Sequence, residues 1–229
     1  MKKKVIILSC DSIRNPFGGL GVYLKQTLTI FSKLYPEYRF LVIGPKTDKS
    51  HIADNYVYTS FEHDNIYNKV IAKAKDTDLI HAMDFGTFGI GSKLSNIMGI
   101  PLALSLHLSI GLLYKDIAKQ VDSINSKPEV LQKELSYMEW SDTVIHVSEG
   151  YMKRFPIHLR LKSNVVHNGI DLVPYQKAKK KKLPGNNSKK IVYIGRLAYQ
   201  KGLHNLVNTT IPNNCDLIIA TKPGNNTMM

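Results

Sequence analysis

An arginine and a lysine bracketing a turn form the chemically most pointed feature of this 229-residue sequence: Gly195-Arg196-Leu197-Ala198-Tyr199-Gln200-Lys201-Gly202. The turn follows an apolar run and leads towards a helix. A planar guanidinium and a compact ammonium so placed can both reach one diphosphate, the first as a fork and the second as a point charge. Two surface cations beside a capped helix is the plainer reading. Glycine at both ends makes the spacing more specific than two lone cations. A related turn, Asn15-Pro16-Phe17-Gly18-Gly19-Leu20-Gly21, follows the first apolar run. Glycines there let backbone N–H groups approach a ligand at a helix N-terminus, where the dipole favours anions or hydroxyl-rich groups. A tight strand-to-helix turn explains them equally well. It is not the dinucleotide fingerprint, since the GxGxxG spacing and the later acidic residue are missing.

Other chemistries find less support. Asp76-Thr77-Asp78 imitates a metal-binding DxD pair, but it precedes its strand and so belongs to the edge opposite a ligand cleft. The eight histidines show neither HExxH nor paired CxxC spacing, so no metal is expected. His81, His146 and His167 read as satisfied strand-end histidines. No Gly-x-Ser-x-Gly elbow supports acyl transfer. Cys10 and Cys215 cannot form a multi-disulfide scaffold and fit a reducing compartment. Tyr137 and Trp140, at helical spacing with Leu131 and Leu135, are expected in the core.

The elements that must carry these residues alternate along the chain. Apolar runs at Lys4–Ser9, Arg39–Gly44, Leu79–Met83, Pro101–His107 and Thr143–Ser148 read as strands. Helical spacing lies between them: about 21–34, a set at Ile66, Val70, Ile71 and Ala74, then about 88–98, 130–140 and a start near Glu149. Strands apolar on both faces with helices between them predict a parallel sheet covered on both sides. Right-handed crossovers make it an α/β fold, a Rossmann-like doubly wound parallel sheet, with ligands beyond the carboxyl ends of its strands. The Lys-rich stretch with Pro184-Gly185-Asn186-Asn187-Ser188 has a linker's composition. After it a new βα pattern opens with Lys190–Gly195, a helix over about 199–209 and a strand at Asp216–Ala220. The expected organisation is one domain over 1–172, a basic linker over 173–189, and the beginning of a second Rossmann-like domain over 190–229.

The charge is 31 − 18 = +13, at 43% hydrophobic and 21% charged residues, which is globular rather than disordered composition. Lys2–Lys4 precede an apolar run that is too short for a signal peptide and leads straight into Asp11, so a first buried strand and a cytoplasmic chain are expected. No stretch reaches the roughly 18 apolar residues of a spanning helix. The cations between Lys177 and Lys190 read first as a solvated linker and second as an attraction to an anionic membrane surface. Nucleic acid, the rival partner on charge alone, lacks interleaved aromatics and any recognisable module.

Four segments, in order, resemble the GT-B glycosyltransferases of family 4 and the related glycogen and starch synthases. They are Gly18-Gly19-Leu20-Gly21, Ser105-Leu106-His107, Asn168-Gly169-Ile170-Asp171, and Gly195-Arg196 with Lys201-Gly202. The resemblance implies two facing Rossmann-like domains, the first for an acceptor and the second for a nucleoside-diphosphate sugar donor, with no other cofactor. By that analogy Arg196 and Lys201 bind the donor diphosphate, and Gly18 and Gly19 lie near its phosphates and sugar. His107 sits near the transferred sugar as the catalytic candidate. Asp84 and Asn168 fall on the acceptor side or in the cleft, and the Asn168–Asp171 turn opens the crossing between domains. The reaction implied is hexose transfer to a carbohydrate or lipid-linked acceptor. Three departures stand out. His81-Ala82-Met83-Asp84-Phe85 replaces the frequent His-x-His-Asp-Trp, and Phe17 stands where synthases carry lysine. The family's paired C-terminal glutamates would lie beyond residue 229. A truncated or split glycosyltransferase is therefore expected; the alternative is a non-catalytic sugar- or acceptor-binding module, or a subunit whose donor domain a partner chain completes.

Overall fold

The computed structural model describes residues 3–13, 18–44, 56–60, 66–119, 127–179, 182–195 and 201–221. The chain divides into two units, Met1–Asp171 and Leu172–Met229.

The first unit is built on seven parallel strands. These are β1 (Lys3–Leu8), β2 (Tyr38–Gly44), β3 (Tyr56–Ser60), β4 (Leu79–Ala82), β5 (Leu102–Leu106), β6 (Thr143–His146) and β7 (Ser163–Val165), in spatial order β3-β2-β1-β4-β5-β6-β7. The connecting helices are α1 (Gly19–Leu34), α2 (Ile66–Lys73), α3 (Phe85–Met98), α4 (Ile110–Ala118), α5 (Pro128–Trp140), α6 (Glu149–Met152) and α7 (Ile157–Leu161). The alternation of strand side chains makes two cores. Ile6, Leu8, Ile80, Ala82, Leu102, Leu104 and Leu106 face one side, where Val70, Phe88, Leu94, Leu112 and Met138 cover them. Val5, Ile7, Phe40 and Val42 face the other, against Leu24 and Leu28 of α1. Helices on both faces are what apolar-on-both-sides strands require. The Rossmann-like sheet expected from the sequence is therefore present.

Two aspartates fix strand register at the sheet's amino edge. Asp78 accepts from the Lys4 amide at 2.7 Å and donates its own to the Lys4 carbonyl at 2.8 Å. Asp142 repeats this with Leu102, at 2.7 and 3.0 Å. Asp78 is thus a structural clamp, and Thr77 beside it is buried with its hydroxyl on the Ala74 carbonyl.

The expected core position of Trp140 is not observed: its side chain is 77% exposed. On α5 the inward stripe is Leu131, Glu134, Leu135 and Met138. Trp140 lies two residues, about 200° of helix rotation, beyond Met138 and so points outward. α4, β3 and β7 were not legible as elements in the sequence.

The second unit holds α8 (Val173–Gln176), β8 (Lys189–Ile194), α9 (Leu203–Val207) and β9 (Cys215–Ala220), with β8 and β9 parallel. None of its described residues is buried, and Ile194 is 80% exposed. The segment before β8 is pinned rather than loose. Asp216 accepts from the Asn187 amide and side chain, each at 2.9 Å, and pairs with Lys190. Lys190 beside it holds the Asp216 carboxyl below its ordinary range. Gly185 has φ of 97°, and a Cβ there would strike the Asp216 carboxylate.

Candidate functional site

In this strand order the sheet runs outward in both directions from β1 and β4, so the crevice beyond their carboxyl ends is where such a fold offers a ligand site. The loop after β1 is organised by Asp11. Its carboxylate accepts from the amides of Ser12 (2.8 Å), Gly18 (3.0 Å) and Gly21 (2.8 Å). An anion thus already occupies the first amides of α1, as the helix dipole favours. Each glycine has its own steric reason. A Cβ on Gly21 would lie 2.5 Å from the Ser12 carbonyl oxygen, and one on Gly18 would lie 3.3 Å from the Asp11 carboxylate. At Gly19 a Cβ would meet nothing within 4 Å among the described residues. Of the three, Gly19 is the one that no neighbour among the described residues explains.

The loop after β4 is tied to the same place by Asp84, whose carboxylate accepts from the Cys10 amide at 2.8 Å. Thr87 secures the start of α3, donating from its hydroxyl to the Asp84 carbonyl at 2.8 Å. Burial raises the Asp84 carboxyl above its ordinary range, against hydrogen bonds that pull it down. The Cys10 thiol, at the surface but screened by its neighbours, is pushed up to about 12 by desolvation and by the adjacent Asp84. It is therefore held as the thiol at neutral pH. Gly86 makes room for it, since a Cβ there would lie 2.6 Å from the Cys10 sulfur.

Beyond β5 lies His107, its ring centroid 4.8 Å from that of Tyr23 on α1. Behind it, His81 Nε2 meets Ser105 Oγ at 2.7 Å. Desolvation lowers His107 to about 4; desolvation and then the neighbouring His107 lower His81 to about 4. Both rings are consequently neutral at pH 7, and His107 is available as a neutral hydrogen-bonding group rather than a cation.

The sequence reading missed Glu134. Although fully buried, it accepts from the amides of Ile110 (3.0 Å) and Gly111 (3.3 Å) and from the Ser109 hydroxyl. It caps the start of α4, and so fixes the loop two residues beyond His107. The Ser109 amide donates to Tyr151 Oη at 2.7 Å. Tyr151 lies beside Arg154, whose guanidinium forks onto Asp116 at 2.8 Å through both nitrogens. An acid in the middle of the apolar stripe 131, 135, 138 was the available signal.

Gly18, Gly19, Asp84 and His107 therefore stand at the ends of three adjacent strands, β1, β4 and β5. Asn168 does not join them: it is exposed in the segment leaving β7, the far edge strand. His167 is the satisfied group expected, its Nδ1 meeting the Val147 carbonyl at 2.9 Å. Inaccessible His146 is satisfied on one side only: Nε2 meets Ser163 Oγ at 3.2 Å, while Nδ1 is buried without a hydrogen-bond partner among the described residues. In the second unit Lys201 is exposed next to Gly202, whose φ of 69° starts α9. Arg196 lies outside the described residues, as does Phe17. No group of three metal-ligating side chains is found among the described residues, and no described helix is long and apolar enough to cross a membrane.

No protein-family model matches the chain. It is 27% identical over 207 residues to an uncharacterized glycosyltransferase, YqgM, of Bacillus subtilis, a match covering 89% of this chain and 54% of that protein. Among solved structures it is similar to Anabaena HepE in complex with UDP and glucose, with a TM-score of 0.66 and 18% identity, over 95% of this chain and 60% of that one. Sucrose-phosphate synthase from Thermosynechococcus elongatus aligns with a TM-score of 0.68 and 15% identity, over 95% and 62%. The E. coli trehalose-6-phosphate protein bound with UDP-2-fluoro glucose gives 0.61 and 14%. The likeness is to GT-B glycosyltransferases, and the chain spans little more than half the length of the curated relative.

Proposed function

We propose that this chain is the acceptor-side domain, with the diphosphate-binding opening of the donor domain, of a glycosyltransferase. Its reaction is transfer of a hexose from a nucleoside-diphosphate sugar to a carbohydrate or lipid-linked acceptor. The observation that carries this reading is the turn at Gly18-Gly19 beyond β1, held by Asp11, with Asp84 and neutral His107 at the next two strand ends. Space stands open beside Gly19, where a Cβ would meet no described neighbour, as the approach of a bulky phosphate or sugar requires. A relative named as a glycosyltransferase, and neighbours solved with UDP or a UDP-sugar, support the same chemistry.

In this reading Lys201, together with Arg196, neutralises the diphosphate as it leaves, which is stabilisation of developing charge rather than proton transfer. His107 touches the sugar as a neutral donor or acceptor. The second unit buries none of its described residues, which favours its completion by further chain, either in line or from a partner. The cations of 177–190 are the part of this reading that would meet an anionic surface.

Isothermal titration of the 229-residue chain with UDP and with UDP-glucose is the test. Weak binding, equal for the two and reduced about tenfold or more in an Arg196→Ala/Lys201→Ala variant, is expected from loss of charge-assisted hydrogen bonds. UDP binding unchanged in that variant would overturn the assignment of the pair. Tight binding that discriminates UDP-glucose from UDP would overturn the view that the sugar pocket needs more chain.

A further inference from the structure

Away from the strand ends, α3 and α5 present two facing stripes with the same spacing. Gly89, Ser92, Lys93 and Asn96 stand at i, i+3, i+4 and i+7 on α3; Lys133, Ser136, Tyr137 and Trp140 repeat that interval on α5. Together they line a groove of about 440 Å³, within the size range of small-ligand sites. Gly89 makes the groove possible, because a Cβ there would lie 2.8 Å from the Tyr137 hydroxyl.

The chemistry of this lining is unusual for an idle surface. Trp140 is the only tryptophan in the chain, and it is 77% exposed. Ser92 Oγ is buried without a hydrogen-bond partner among the described residues. Lys93 and Lys133 form no ion pair with a carboxylate among the described residues; they lie over the rings of Tyr67 (4.3 Å) and Tyr137 (6.0 Å), which leaves their N–H groups free to donate. The described lining therefore carries two positive charges, no negative one, an amide, hydroxyls and an exposed aromatic face.

We infer that this groove binds an acidic saccharide, a sugar chain bearing carboxylate or phosphate groups. The weakly positive C–H face of a pyranose suits the negative face of an indole. Ser92 and Asn96 supply donors and acceptors for sugar hydroxyls, Ser136, whose hydroxyl donates to the Lys133 carbonyl at 2.9 Å, supplies an acceptor, and the lysines meet the anionic groups. A peptide strand is a poorer occupant, because the backbone groups of two helix interiors are already paired and offer no edge to extend. A bilayer is poorer still, since the two lysines lie along a groove between two helices rather than on a projecting face. The site is separate from the glycine turn and does not depend on donor binding.

Trp140 supplies its own readout. Titration of the 229-residue chain with tetragalacturonate is expected to shift and saturate its emission. Maltotetraose, the Lys93→Ala/Lys133→Ala variant, and high salt should each weaken binding about tenfold, as loss of two exposed ion pairs implies. By calorimetry Trp140→Ala should lose tetragalacturonate binding while keeping its unfolding temperature and its response to UDP. The inference is overturned by no saturable shift, by equal affinity for the neutral tetrasaccharide, or by unchanged affinity in the lysine variant. It is equally overturned if phosphatidylglycerol vesicles or polyglutamate shift the emission while tetragalacturonate does not.

Discussion

Replacing Glu134 by alanine tests whether the buried carboxylate holds the loop beyond His107. The side chain is inaccessible to solvent, and alanine removes the acceptor for the Ile110 and Gly111 amides and the Ser109 hydroxyl. The two amides cannot turn away, and each buried donor left unsatisfied costs about 1–3 kcal/mol. With the void left behind, the expected loss is about 3–5 kcal/mol. For a unit of this size that lowers the unfolding temperature by on the order of 10 °C. Glu134→Gln keeps the shape and one oxygen and should lose only about 1–2 kcal/mol, because burial already penalises the charged carboxylate. That penalty, the largest influence on the group, raises its pKa above the ordinary 4.5 against the hydrogen bonds. A raised folded pKa gives a contribution that is complete below the unfolded value and lost as pH rises through the folded one. The gap between wild type and Glu134→Gln should therefore narrow from pH 4 to pH 7. Urea unfolding followed by circular dichroism, on both variants at both pH values, reads all of this. Alanine within about 1 kcal/mol of wild type, or glutamine as costly as alanine, would refute the reasoning.

Gly111→Ala should cost about 3 kcal/mol in the same assay, because its Cβ would lie 2.4 Å from Leu131 Cα and neither helix backbone can give way. His81, His107 and His146 are each lowered by desolvation to about 4 from the ordinary 6.5. The unfolded chain binds more protons than the folded one between those values, so stability should fall on acidification from about pH 6.5 to 4, by at most about 3 kcal/mol per ring. A flat unfolding free energy across that window would contradict the burial of these rings.

Composition and periodicity determined much of this protein. Short, largely apolar runs such as Ile6-Ile7-Leu8 and Leu102–Leu106, alternating with helical spacings, point to strands covered on both faces and so to a parallel, wound sheet. The turns around Gly18 and Gly202 were visible because glycine, lacking a Cβ, is the residue best suited to a close approach at the first and to the positive φ of 69° at the second. Short edge elements were not, because β7 has three residues and takes its structure from pairing with β6.

The tertiary structure decided how polar residues were used. Sequence offers Asp11, Asp78, Asp84 and Glu134 as four alike acids. Folding makes Asp78 a register clamp, Asp11 and Glu134 helix caps, and Asp84 the link between two strand ends. It likewise turned Trp140 outward while burying Glu134, against what hydrophobicity alone would assign. The reason is that local pattern fixes which backbone a segment adopts, whereas a polar side chain's role depends on which amides arrive beside it. Those amides come from residues as much as 74 positions away, as with Asp84 and Cys10.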